Sequence, residues 1–378
     1  MDGVRRPGFL ISLSIQDGLE WQPVRSGPAR VDAAEVVSVD LFESVAAMPG
    51  GGAQINLMDG GRLFGDIGGA IEDTLELESP LLGTLKIPLE HVAAIITEKG
   101  RNQIAAGTLA SMIRRADRSS DELWFVNGDR LRGSLVSVGR KTVSVATESG
   151  LADAPTDVLL GVFLANPPPR PSAALRAVIG LTDTSELTVD DLNWYGQNVQ
   201  VAGDGWLKVS FPSHVVTDVQ IIGGRWRWLG ELTPTEFNQH SLTGKLWPYR
   251  VDANVLDQPM RIGGTRYRHG IGLHSAANLV YYLGGKYDVF SAQVGIDDSA
   301  GPLADADLFV RIDSQPGFQA RGLRSGQKAI PVRLDVRGAQ RLEISVEFGR
   351  NADIQDRVNV ADAALIRTTP GAEASDNP

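Results

Sequence analysis

The 378-residue sequence contains no cysteine. Disulfides, thiolate metal sites and cysteine nucleophiles are thereby excluded, while the compartment stays open, because missing cysteine is no proof of a reducing one. No run approaches about 18 continuous apolar residues, so no ordinary membrane-spanning helix is encoded. Basic clusters are missing too: 36 Lys and Arg stand against 46 Asp and Glu, a formal net charge of −10. That balance argues against binding a phosphate backbone, and nucleic acid is not expected as a partner. Long helical apolar patterns are nearly absent, and with 42 glycines the composition reads as a turn-rich all-β protein.

Catalytic motifs are absent as well. There is no Gly-x-Ser-x-Gly elbow, no His-Glu-x-x-His, no phosphate loop and no βαβ alternation. A glycosidase needs two carboxyl groups facing one cleft, about 5 to 9.5 Å apart on separate elements, and no scaffold for such a pair is recognisable. The chain is therefore expected not to be an enzyme. Nor is a secretory leader legible: Phe9–Ile15 is seven residues long, holds two serines and has no Ala-x-Ala-type site after it. It reads as a strand entering the turn Gln16-Asp17-Gly18, so the chain, or its assigned start, is expected to begin close to a folded domain.

What the sequence does have is repetition. Ile55-Asn-Leu-Met-Asp-Gly-Gly-Arg-Leu63, Leu123-Trp-Phe-Val-Asn-Gly-Asp-Arg-Leu131 and Val178-Ile-Gly-Leu-Thr-Asp-Thr-Ser-Glu-Leu187 each run from strand to Asx turn to strand. This is the signal of a two-residue hairpin. Pro88, Pro155 and Pro212 follow the turn residues Asp59, Asn127 and Asp183 by 29, 28 and 29 residues. A closing apolar strand comes after each proline, so each repeat holds four or five strands. A partial earlier copy is expected at Phe9–Val39. Units of this size resemble small SH3-like or Sm-like barrels, an architectural likeness that transfers no activity.

The expected organisation follows. Residues 1–100 hold the partial copy and the first repeat, 119–166 the second and 177–242 the third. Between the first two, 101–118 is a helical connector, with Ile104, Leu109, Met112 and Ile113 at amphipathic spacing. Residues 167–176 form a linker beginning in the polyproline-like Asn166-Pro-Pro-Pro-Arg-Pro171. A β-sandwich occupies 243–367, with eight strands between Arg261 and Arg367, and 368–378 is a disordered tail.

Two blocks in the last third are the most specific. Tyr267-Arg-His-Gly-Ile-Gly-Leu-His-Ser275 places glycines two apart in an apolar strand, which implies close approach of another backbone. Phe290-Ser-Ala-Gln-Val-Gly-Ile-Asp-Asp298 is a strand that ends in an acidic turn. Together they resemble the NPCBM family of carbohydrate-binding modules, found beside bacterial glycoside hydrolases including family 98. The resemblance implies a jelly-roll, galactose-binding-like sandwich over 243–367, a glycan ligand and an extracytoplasmic or cell-envelope setting. One departure stands out. The family pattern carries a tryptophan shortly after an aspartate near its C-terminal end, whereas Asp356-Arg-Val-Asn-Val-Ala-Asp362 has valine. If that tryptophan touches ligand, the specificity of this copy is changed or lost.

Aromatic faces can stack on the C–H face of a sugar while neighbouring polar groups select hydroxyls. Trp247 and Tyr249 are the candidate platform, with Tyr267 beside them and Arg266, Arg268 or Asp298 as hydrogen-bonding groups. Of the adjacent Tyr281 and Tyr282, only one can face the sandwich interior. Trp226 and Trp228, two apart, read as packing. His269 and His274 are five apart and so point to opposite faces of a strand, which argues against a shared metal. His274 matches the histidine of the family's Gly-x-Gly-x-His pattern, where a buried imidazole fixing a strand end or a direct sugar contact is implied. Asp297, Asp298, Asp305 and Asp307 form an acidic turn that could hold a structural calcium, or cap local amides instead. Asp353, Asp356 and Asp362 form a second acidic group of the same ambiguous kind.

The expectation drawn from this is a non-catalytic glycan-binding protein whose repeats serve as spacers or bind protein partners. The alternative is an interaction scaffold that keeps the sandwich without the sugar.

Overall fold

In the computed structural model, which describes residues 6–41, 50–71, 73–104, 109, 113, 119–166, 174–240 and 244–367, the three Asx turns close alike. Gly60 N–H donates to the Leu57 carbonyl and Leu57 N–H to that of Gly61. The same pair of bonds recurs at Phe125, Gly128 and Asp129, and at Leu181, Thr184 and Ser185. The side chains of Asp59, Asn127 and Asp183 accept from the amide two residues on, at 2.8, 3.0 and 2.9 Å. The loops thus hold three residues, not the expected two. The third residue is left-handed, at φ +94° for Gly60, +91° for Gly128 and +66° for Thr184, the geometry of a type I turn followed by a bulge.

The strands follow the repeat pattern. The first full copy runs Ala53–Leu57, Arg62–Ile71, Thr74–Ser79, Gly83–Pro88 and Val92–Ile96. In it and its two successors, the proline opens a single 3-10 turn: Leu89–His91, Thr156–Val158 and Ser213–Val215. Gly8–Asp40 supplies the later strands of a further copy, with Asp32 in the place of the proline, capping Ala33–Glu35 by accepting from Ala34 N–H at 2.8 Å.

Copies pair with one another at equivalent residues. Ile95 lies opposite Val162 and Val39 opposite Val219, each seven residues after its Pro or Asp. Leu13 lies opposite Trp194, both next to last in their strands, and Arg62 opposite Glu186, each three residues after its turn Asp. Every seam is therefore locally two-fold. One apolar cluster containing Leu13, Ile55, Leu123 and Ile179 runs through all the copies. This revises the expected division into separate repeat domains, because units that share sheets and a core cannot bury their apolar faces alone.

The helix of the connector is Glu98–Gln103, capped by Thr97, and so begins earlier than expected. Of the expected helical stretch, 105–108, 110–112 and 114–118 lie outside the described residues. Leu109 and Ile113 pack with Ala94, Ile96 and Phe163. The proline-rich run 167–173 and the tail 368–378 also lie outside them. Among the described residues no helix is long and apolar enough to cross a membrane.

A second compact unit begins at Arg225, not at residue 243. The reason is pairing: Trp226–Trp228 lies along Arg357–Ile366, and Glu236–Gln239 along Ala277–Tyr282. One antiparallel sheet orders Arg250–Val251, Gly270–His274, Arg357–Ile366, Val289–Ile296 and Ile330–Asp335. The other orders Glu236–Gln239, Ala277–Tyr282, Arg341–Phe348, Ala306–Ile312 and Gln315–Leu323. Leu273, Leu279, Phe290, Leu308, Ile344 and Leu365 fill the space between them. This is the expected jelly-roll sandwich, with more strands than the eight read from sequence. A β-hairpin of Met260–Ile262 and Thr265–Tyr267 packs on Ala361. The two motif glycines behave as anticipated: a Cβ would lie 2.4 Å from the Val360 carbonyl oxygen at Gly270 and 2.4 Å from that of Ala253 at Gly272.

Candidate functional site

Strand register gathers the candidate site at one end of the sandwich. His274 ends its strand opposite Arg357, which begins its own, and Ile296 ends a third strand opposite Val358. The loops after His274 and Ile296 and before Arg357 consequently emerge together. Trp247 joins them: its indole lies parallel to the His274 imidazole, 5.2 Å between centroids and 6° between planes. The Lys245 ammonium sits 3.9 Å from the centre of the Trp247 ring, a cation–π contact. Gln239 Oε1 accepts from Trp247 N–H at 2.6 Å and fixes the loop.

The electrostatics are mixed. Burial pushes the His274 pKa below its ordinary 6.5; the Asp353 carboxylate opposes the shift, while Arg357 and Lys245 add to it. Asp353 is half-buried, and its carboxylate makes no hydrogen bond with a described residue. Arg357 donates through Nη1 to the Ser299 carbonyl at 2.6 Å. Asp356 is fully buried, and burial raises its pKa from 3.8 to about 6. Its Oδ1 accepts from Asp305 N–H at 3.0 Å, whereas Oδ2 has no hydrogen-bond partner among the described residues. The end of the sandwich thus offers an aromatic pair with a carboxylate and two cations close by, all of which can hydrogen-bond hydroxyls.

The expected residues divide. Trp247, His274 and Asp298 fall at this end. Tyr249 turns edge-on to Phe237, 5.2 Å away, and packs on the core. Tyr267 is 7% exposed, held by Met260, Ile262 and Ala361. Both tyrosines are packing groups in this structure, not an open platform. Arg266 is exposed on the hairpin opposite Arg261, and Arg268 follows it half-buried. Asp298 accepts from Gly263 and Gly264 N–H, both at 2.8 Å, and so holds the hairpin turn. Tyr281 is buried and Tyr282 exposed, as strand alternation requires. Trp226 and Trp228 are buried edge to face; His269 stacks on Trp228 at 4.6 Å, apart from the His274 pair.

The acidic turn is used by N–H donors. Asp297 accepts from Asn254 Nδ2 at 3.0 Å, Asn359 Nδ2 at 2.6 Å, and the amides of Arg261 and Ser299 at 3.0 Å each. Asp305 pairs with Arg324 at 2.9 Å, and Asp307 accepts from Gly322 N–H at 2.7 Å. Among the described residues no group of three or more His, Cys, Asp or Glu converges on a common metal position. In the second acidic group, Asp362 takes a left-handed φ of +45° and its N–H donates to the His269 carbonyl, away from Asp353 and Asp356. Val358 and Val360, in the run where the family pattern carries tryptophan, are both fully buried in the core. In this chain both positions therefore pack into the sandwich interior and present no side chain to the surface.

Lys245 and Arg357 were not singled out from sequence, and Asp353 was read only as part of the second acidic group. Lys245 stands two residues before Trp247, a readable signal, but only the pairing of Arg357 with His274 brings the other two to the site.

The architecture of this unit is a two-sheet antiparallel β-sandwich, and the family comparison assigns its class. Residues 226–366 are an NPCBM/NEW2 domain by family-model match. A stretch of 88 residues is 28% identical to a Renibacterium salmoninarum protein named "Putative endo-alpha-N-acetylgalactosaminidase", covering 23% of this chain and 6% of that protein. The chain thus spans a small fraction of that relative's length. Among solved structures, CBM51 from Clostridium perfringens GH95 in complex with methyl-galactose is 24% identical, with a TM-score of 0.34, covering 37% of this chain and 99% of that one. The tandem CBM51 modules of the family 98 glycoside hydrolase from Streptococcus pneumoniae are 13% identical, with a TM-score of 0.35, covering 70% of this chain and 93% of that one.

Proposed function

We propose that the sandwich binds glycans reversibly and without turnover, at the end that carries Trp247 and His274. The observation that supports this most is the parallel Trp247–His274 pair with Lys245, Asp353 and Arg357 beside it, set in an NPCBM/NEW2 domain. Lys245 covers part of the indole, so a sugar stacking there displaces a single exposed side chain. Asp353 then accepts from a hydroxyl, and Arg357 or the displaced ammonium donates. In this reading the repeats are spacers or carry protein partners, and the protein works outside the cytoplasm or at the cell envelope.

The test is a glycan array with the full chain and the Trp247→Ala variant, with calcium and with chelator, beside a glycosidase substrate panel. Saturable binding lost in Trp247→Ala, with no substrate released, supports the reading; binding lost in chelator assigns a calcium ion to the module. Absence of binding across the array rejects glycan recognition in favour of an interaction scaffold, and substrate release rejects the non-catalytic role.

A further inference from the structure

The repeat unit contains a small cavity of about 100 Å³ lined by Leu57, Met58, Asp59, His91, Asp204 and Trp206. Asp59 belongs to an Asx turn and His91 to a 3-10 turn of the first full copy, whereas Asp204 and Trp206 come from the turn between two strands of the last copy. The Met58 N–H donates to the His91 carbonyl at 2.9 Å and ties the first two together. The wall is specific to this place. The residue equivalent to His91, last in the 3-10 turn, is Val158 or Val215 in the other full copies and Glu35 in the partial one.

Its chemistry selects the occupant. Two carboxylates share the cavity with an indole. His91 Nδ1 is 3.8 Å from Asp204 and its Nε2 3.8 Å from Glu90, and its ring centre is 6.1 Å from that of Trp206. Burial, and after it the Asp204 charge, raise the pKa of Asp59 against the opposing Gly61 amide, Arg176 and His91, so a further positive group entering the cavity would favour the ionised carboxylate. A bare divalent ion does not suit the place, because no group of three metal-ligating side chains converges among the described residues, and Leu57, Met58 and Trp206 supply apolar walls. Pockets for whole drug-sized ligands measure roughly 300 to 1,000 Å³, so this volume takes the end of a chain. A cation with a hydrocarbon stem meets all these conditions, its charge between carboxylates and over an aromatic face.

We propose that this cavity binds an alkylammonium group, either of a free amine or of a lysine side chain. It is independent of the sandwich and of glycan recognition.

The experiment follows the Trp206 indole N–H by NMR in the full chain, assigned with Trp206→Phe, at constant ionic strength. The probes are n-butylammonium, tetramethylammonium and Nα-acetyl-lysine amide, with n-butanol and methyl galactoside as neutral controls. Saturable shifts are expected with at least one ammonium probe, and affinity should fall about tenfold or more in Asp59→Asn and Asp204→Asn. Asp59→Asn keeps the turn, since Asn127 makes the same bond in the next copy at 3.0 Å; an unchanged melting curve verifies this, and Asp204→Asn serves if it does not. A preference for the lysine amide assigns the group to a protein partner, and equal binding of butylammonium to a free amine. No saturable shift, equal affinity in both Asn variants, or n-butanol or the sugar binding as well as the cations overturns the proposal.

Discussion

The imidazole of His274 lies parallel to the indole of Trp247, 5.2 Å away, and this contact contributes to its burial. Burial disfavours the imidazolium, so the folded-state pKa lies below the ordinary 6.5. The folded chain then binds fewer protons than the unfolded one around that pH. His274 contributes stability fully above 6.5, and the contribution is lost as pH falls through that value and on through the folded pKa. In Trp247→Ala the His274 pKa should move up toward 6.5, and this part of the acid loss should shrink. Proton NMR titration of the His274 ring in both proteins decides the matter; an unchanged pKa would show that Trp247 does not shield it.

Asp356 acts in the opposite sense. Its folded pKa of about 6 exceeds the ordinary 3.8, so its protonated form stabilises the fold fully below 3.8, and that contribution is lost as pH rises through about 6. Asp356→Asn removes this compensation, while its side-chain oxygen can still accept from Asp305 N–H. The variant should lose stability more steeply than the parent as pH is lowered below about 6. Urea midpoints across the acid range measure it, and parallel curves for the two proteins would refute the assignment.

Much of the fold was legible because its signals are local. Asp59, Asn127 and Asp183 announce turns through side-chain bonds to their own neighbours, and Gly270 and Gly272 mark backbone contact that a Cβ would block. The seams were not legible. Ile95 and Val162 are 67 residues apart in sequence and meet only because two closing strands pair, and alternation along one strand does not name its partner. The aromatics failed for a related reason: an alternating pattern places Tyr267 on a face, but a hairpin packed outside the sheet makes that face interior. The acidic turn shows the limit of composition. The carboxylates that composition offers to a cation accept N–H groups from Asn254, Asn359 and Arg324, which are distant in sequence and so not readable beside them.

Thr184 occupies the left-handed position that Gly60 and Gly128 hold in the other turns, at φ +66°. A β-branched residue there carries strain of about 1 to 2 kcal/mol, partly offset by the greater unfolded-state freedom of glycine. Thr184→Gly should stabilise the repeat unit by about 0.5 to 1 kcal/mol. Calorimetry of the repeat-unit transition checks it; a lower melting temperature would mean the Thr184 side chain contributes more than its backbone costs.

Tyr281 is fully buried in the sandwich core, and its hydroxyl has no hydrogen-bond partner among the described residues. Burial also pushes its pKa well up. An unpaired buried hydroxyl costs roughly 1 to 3 kcal/mol, while removing it changes the shape of the ring little. Tyr281→Phe should therefore be neutral or stabilise the sandwich by about 1 kcal/mol. Destabilisation in urea would point to a partner such as buried water.

Asp297 is the hub of the same end of the sandwich, and its role separates a cap from a metal ligand. Its carboxylate accepts from Asn254, Arg261, Ser299 and Asn359, and both asparagines are buried. Asp297→Ala leaves those amides unpaired in the interior and should cost about 3 to 5 kcal/mol, as breaking a buried charged network does. Asp297→Asn should cost less, because its oxygen still accepts but its amide N–H groups meet donors. Chelator should leave the melting temperature of the parent protein unchanged, since N–H groups already saturate this carboxylate. A fall on chelation, restored by calcium, would show that an ion shares the turn and that Asp297 or its neighbours help to hold it.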